Sequence, residues 1–216
     1  MSSSVIAPAI LAENAEQYKE QVDKITGLVE RVHIDISDGE FAPTLTVGIP
    51  ELWAPEGWMI DIHAMVNDVA EYVPKLTALR PHMIIIHAEA TGDVKTALMQ
   101  IRQAGIMAGL ALLKPTVPRT VEELIKIADH VMIFSGELGR FGGTASLMQL
   151  EKIRLIKAIN PSVEIGWDGG VAVDNAYSLV QGGVNVLNVG GVIQKSSDPR
   201  TIFSRLQQEI NKTSVL

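Results

Sequence analysis

"RVHIDISDGEFAP", residues 31–43, reads as a core strand that runs straight into a turn. Val32, Ile34 and Ile36 alternate, as β-branched residues do on a strand face packed against helices. Side chains alternate sides along a strand, so His33 and Asp35 share the opposite face, and Asp38 and Gly39 follow at once. An imidazole and a carboxylate on the inner face of a buried strand demand a partner or a task.

The rest of the chain repeats this strand at intervals. The other strand candidates are "VIAPAIL" (5–11), "MIDIHAMV" (59–66), "MIIIHAE" (83–89), "MAGLALL" (107–113), "HVMIFS" (130–135), "VEIGWDG" (163–169) and "VNVLNVGG" (184–191). Segments with helical spacing lie between them, several opening on Asp, Thr or Ser and closing on Gly. Only "TLTVGIPELW", after the second strand, is weak, with room for one short helix at most. Strands alternating with helices imply parallel strands and right-handed crossovers. Eight such units predict a single-domain (β/α)8 TIM barrel over residues 1–216. A doubly wound open sheet is the alternative, but "APAILAENA" after the first strand lacks the glycines of a dinucleotide fingerprint.

Composition narrows the function. The 216 residues are 47% hydrophobic and 20% charged, with 25 acidic and 18 basic residues giving a net charge of −7. That balance argues against a nucleic-acid partner, which needs a basic face. With no cysteine, disulfides, thiolate metal sites and cysteine nucleophiles are excluded. The start, "MSSSVIAPAIL", lacks the basic residues and long apolar run of a signal peptide, and no apolar stretch approaches the ~20 residues that span a bilayer. A cytoplasmic protein with no membrane partner is the expectation.

In a barrel, one strand face meets the helices, the other lines the interior, and chemistry gathers at the C-terminal strand ends. The alternation turns Asp61, His63 and Met65 inward on the third strand, and Glu164, Gly166 and Asp168 on the seventh. His33, Asp35, His63 and Asp168 should therefore converge at the mouth. Two imidazoles and two carboxylates suit one divalent ion, such as zinc, iron, manganese or cobalt. His87 and Glu89 share the inner phase of the fourth strand; they read as a buried hydrogen-bonded pair, with orientation of a ligand as the alternative. His82 and His130 start their strands, at the wrong end for chemistry. Glycine pairs follow three successive strands: Gly142–Gly143, Gly169–Gly170 and Gly190–Gly191. Bare amides there can cradle an anion, which predicts a phosphorylated substrate.

These residues also resemble the ribulose-phosphate 3-epimerase family over nearly the whole chain. "APAILAEN" looks like its opening PSIL-A-D motif, "HIDISDGEFAPTLTVG" its HxDxMDGxFVPN segment and "DIHAMV" its DxHLMV. "RFGG" and "WDGGV" are similar to its GFGG and VDGG, and "HAE", "KPTVP" and "NVGGVI" match HxE, NPxTP and xxGSxI in the right order. The resemblance implies a (β/α)8 barrel that converts D-ribulose 5-phosphate to D-xylulose 5-phosphate by inverting carbon 3 through a metal-stabilised enediolate. It implies that His33, Asp35, His63 and Asp168 bind the metal and that Asp35 and Asp168 are the acid/base pair. Substrate and phosphate contacts would come from His63, Met65, Phe141 and the six paired glycines, and the protein would be a homo-oligomer.

The chain departs from the family pattern around the substrate. Ala9 replaces the serine of PSIL, Ser37 a methionine, Lys114 the asparagine of NPxTP and Gly191 a serine, while "ELGRFGGTA" carries the additional Arg140. Lys114 or Arg140 could restore a phosphate contact. The alternatives are a relative acting on another ketose phosphate, such as a hexulose 6-phosphate, and a non-catalytic sugar-phosphate-binding relative. A decarboxylase of similar fold is disfavoured, because "ISDGE" after Asp35 has no lysine.

Overall fold

The computed structural model describes residues 4–212. Eight strands, β1 (Val5–Ile10), β2 (Arg31–Ser37), β3 (Met59–Met65), β4 (Met83–His87), β5 (Met107–Leu112), β6 (His130–Phe134), β7 (Glu164–Asp168) and β8 (Val186–Val189), pair in chain order. All are parallel, and β8 closes on β1 to complete the barrel. Around them lie α1 (Ala15–Ile25), α2 (Val69–Thr77), α3 (Val94–Gln103), α4 (Glu122–Ile127), α5 (Glu151–Ile159), α6 (Ala176–Gln181), α7 (Gly191–Gln194) and α8 (Pro199–Ile210). Among the described residues, no helix is long and apolar enough to cross a membrane.

Local chemistry accounts for the punctuation. Asn14, Asp68, Asp93 and Asp198 each accept a backbone N–H in the first turn of α1, α2, α3 and α8, satisfying a donor that has no partner within the helix. The weak connection after β2 holds only a 3₁₀ turn, Ile49–Glu51, as its composition suggests. After β8 there are two helices. Gly191 opens the short α7, where the Gly190 carbonyl accepts from both Ile193 and Gln194, so this glycine pair forms a strand-to-helix junction.

Two apolar layers follow from the strand alternation. Val32, Ile34, Ile36, Ile62, Ile165 and Trp167 face outward and pack with helix residues such as Val22, Leu98 and Ile156. Met83, Ile85, Ala111, Met132 and Phe134 form a separate cluster inside the barrel. The N-terminal end of the interior is filled by charged and polar side chains. Buried Arg31 donates to Asp61 at 2.6 Å and to both oxygens of Glu164 at 3.0 and 2.9 Å. His82 joins Asp61, and His130 joins Glu164, each at 2.7 Å.

Candidate active site

His33 and Asp35 of β2, His63 of β3 and Asp168 of β7 meet at the C-terminal mouth of the barrel, where each offers one donor atom and all four atoms lie within 4.8 Å of one another. Strand register sets this up, since Asp35 and His63 are direct cross-strand partners. Asp35 Oδ1 is 2.8 Å from His63 Nδ1 and 3.3 Å from His33 Nε2. Asp168 Oδ2 is 3.7 and 3.9 Å from the same two nitrogens.

The donor set fits a divalent cation. Both ring nitrogens of His33 are buried without a hydrogen-bond partner, a costly state for an imidazole. Two carboxylates held together are costly for the same reason, unless a positive charge sits between them. Donor atoms about 3 Å apart are what a shared ion at about 2.0–2.2 Å from each ligand requires.

The two acids are pushed in opposite directions. Burial first, and then the charge of Asp35, raises the Asp168 carboxyl above its ordinary value. Burial also opposes ionisation of Asp35, but the imidazoles of His33 and His63 overcome it and hold that carboxyl well below the usual range. Unlike environments for paired carboxyls are how one site keeps an acid beside a base.

A cavity of about 540 Å³ opens over the cluster, lined by Asp35, Met65 and Asp168 and by the loops after β6, β7 and β8. All six paired glycines and Phe141 line it. At two of them small size is a packing requirement: a Cβ on Gly169, where φ is +98°, would stand 2.0 Å from the Gly136 nitrogen, and one on Gly190 would stand 2.4 Å from the Phe141 ring. His33 and His63 are fully buried and do not line the cavity. Arg140 lines it, whereas Lys114 lines a neighbouring cleft of about 400 Å³ that also reaches Arg140.

Sequence reasoning missed Asn188 and Lys195, which also line the cavity. Asn188 was within reach of the alternation rule, because Leu187 and Val189 face outward and leave residue 188 pointing in. Lys195 lies just beyond α7, where no periodicity announces it. His87 and Glu89 do form the expected pair, Nδ1 to Oε2 at 3.4 Å, and His87 Nε2 also lies 2.8 Å from His63 Nε2. Burial pushes His87 down to about 4, so it is neutral at ordinary pH.

Residues 5–194 match the model of the ribulose-phosphate 3 epimerase family. The chain belongs to that family. It is 30% identical over 210 residues to ribulose-phosphate 3-epimerase of Helicobacter pylori, covering 94% of this chain and 96% of the relative. It is also 30% identical over 202 residues to the Aquifex aeolicus enzyme of the same name, covering 90% and 91%. As a member of this family the chain is an isomerase, a sugar-phosphate epimerase. Among solved structures, 3-hexulose-6-phosphate synthase from Salmonella typhimurium superposes with a TM-score of 0.74 at 15% identity, covering 95% and 97% of the two chains. KGPDC from Streptococcus mutans gives 0.72 at 13% identity over 96% and 97%. At such identities these two share the fold alone.

Proposed function

We propose that the chain is a metal-dependent epimerase that inverts carbon 3 of a ketose phosphate, with D-ribulose 5-phosphate as substrate and D-xylulose 5-phosphate as product. One observation carries this reading: Asp35 and Asp168, three strands apart around the ring by way of β1 and β8, reach one donor cluster and open into one cavity. Inversion removes a proton from one face of a carbon and delivers one to the other, so it needs two proton carriers flanking a planar intermediate. The opposite pKa displacements of Asp35 and Asp168 suit them to begin as base and acid. They exchange roles for the reverse reaction.

His33, Asp35, His63 and Asp168 would hold zinc, iron, manganese or cobalt. Such an ion supplies Lewis-acid stabilisation of the charge that develops beside the reacting carbon. Met65 and Phe134 form an apolar wall that keeps water from the carbon while it is flat. The paired glycines offer backbone amides to the phosphate, and Arg140 and Lys195 bring positive charge to the same cavity.

A second reading keeps the chemistry and enlarges the sugar to a hexulose phosphate. It is favoured by Ala9 and Gly191 in the cavity wall, where the family pattern has serines. NMR assay of the metal-loaded enzyme against a panel of ketose phosphates separates the two. Conversion of ribulose 5-phosphate at the highest kcat/KM supports the first, preference for a hexulose phosphate supports the second, and turnover of none removes both.

A further inference from the structure

The floor of the cavity carries a polar side chain that the proposed chemistry leaves unused. Asn188 faces into the barrel from β8 as the register partner of Asp168 on β7, and both line the cavity. On its other side β1 pairs Ala7 with Asn188, a neighbour with no side-chain donor. Asn188 is only 2% exposed, yet its Oδ1 has no hydrogen-bond partner. Its Nδ2 donates to the Met132 sulfur at 3.2 Å.

A carboxamide offers two N–H donors and a carbonyl oxygen. Here its one partner is a thioether, which is a weak acceptor and has no hydrogen to give, so the amide nitrogen faces Met132 and the oxygen is left over. A buried oxygen without a donor is costly, and a leucine would fill the same place without that cost. Packing of the empty barrel therefore does not account for Asn188. The outer torsion of an asparagine is broad and its anchor here is weak, so the carboxamide can turn toward a ligand.

Its position says which ligand group. Two residues on, in the same inward phase, Gly190 begins the glycine pair at the β8–α7 junction. Asn188 thus lies between the Asp168 carboxyl and the cradle assigned to the phosphate. With carbon 3 at the carboxyls and the phosphate at the glycines, the carbon 4 hydroxyl is the group that passes Asn188. A hydroxyl both donates and accepts, which matches the free oxygen and the second amide hydrogen.

We propose that Asn188 is a specificity-determining residue whose carboxamide hydrogen-bonds the carbon 4 hydroxyl of the substrate. The inference rests on the epimerase reading of the site. Ribulose 5-phosphate and the hexulose phosphates both carry that hydroxyl, so the contact does not choose between them. It rejects ketose phosphates that lack the hydroxyl, because they leave a buried polar group unpaired.

The 4-deoxy analogue of ribulose 5-phosphate tests it. Exchange of the carbon 3 hydrogen in heavy water, followed by proton NMR, reads both compounds with the metal-loaded enzyme. The unaltered protein should prefer ribulose 5-phosphate by about 10–100-fold in kcat/KM. In Asn188→Leu, kcat/KM for ribulose 5-phosphate should fall by a similar factor, and the preference should shrink to within threefold. A preference below threefold in the unaltered protein would overturn the proposal without any variant. So would a preference of equal size in the two proteins. If the unaltered protein exchanges neither compound, the epimerase reading fails and takes the hydroxyl contact with it.

Discussion

Asp35 and Asp168 are both inward-facing strand-end aspartates, but their surroundings separate them. Asp35 lies between two imidazoles, while Asp168 has only longer contacts to the same rings. Asp168→Asn should lower the epimerisation kcat by about 10²–10⁴-fold, the usual worth of a general acid or base. A value within threefold of the unaltered enzyme would remove residue 168 from the chemistry. The cavity cations give a different signature: Arg140→Ala and Lys195→Ala should each raise KM about tenfold with kcat nearly unchanged, and Lys114→Ala should leave both alone. Equal effects at all three positions would point to general charge rather than phosphate contact. At this scale the strand residues were legible, because a period of two assigns each side chain a face. Lys195 was not, because a loop residue's direction depends on contacts made far along the chain.

Elements of the barrel matter through what their ends do. The turn after β2 is tied by Asp38, whose carboxylate accepts the Glu40 and Phe41 amides at 2.8 Å each, with Gly39 at a φ of +77°. That geometry carries Phe41 over His87. The β8–α7 junction works similarly: bare Gly190 leaves room for Phe141, which belongs to the loop after β6. Gly190→Ala should displace that ring and loosen the glycine cradle, raising KM tenfold or more while the protein still folds. Unchanged steady-state constants would show that the contact is incidental. The eight strands were legible from apolar alternation between turn signals, with no end displaced by more than two residues. The four-residue α7 was not, since one turn of helix is too short to display a period of 3.6.

Across the barrel the two ends differ, with charged side chains packed at the N-terminal end and the carboxylates of Asp35 and Asp168 opening to a cavity at the other. Glu164 holds the packed end together, and its surroundings show how. Burial alone would raise its pKa, but His130 and Arg31 outweigh that and hold the carboxyl well below its ordinary value. A depressed folded-state pKa contributes stability above the unfolded value of about 4.3, and that contribution is lost as pH falls through the folded value. Glu164→Gln should therefore cost about 3 kcal/mol at pH 7, because it leaves Arg31 short of a buried partner. The deficit should shrink as the pH is taken below about 4 in urea titrations. A deficit independent of pH would mean that packing, not ionisation, is what Glu164 supplies. The sequence marked Glu164 as inward-facing but gave no hint of its partner: alternation places Arg31 on the same inner face as His33, yet which inward residues meet across the barrel is set by contacts between strands far apart in the chain.

The central claim is that one carbon loses a proton on one face and receives another from solvent on the opposite face. Ribulose 5-phosphate turned over by the metal-loaded enzyme in heavy water, stopped at low conversion, tests it directly. The xylulose 5-phosphate formed should carry deuterium at carbon 3, placed there by the second carboxyl. Product that keeps its original hydrogen at carbon 3 would contradict the account.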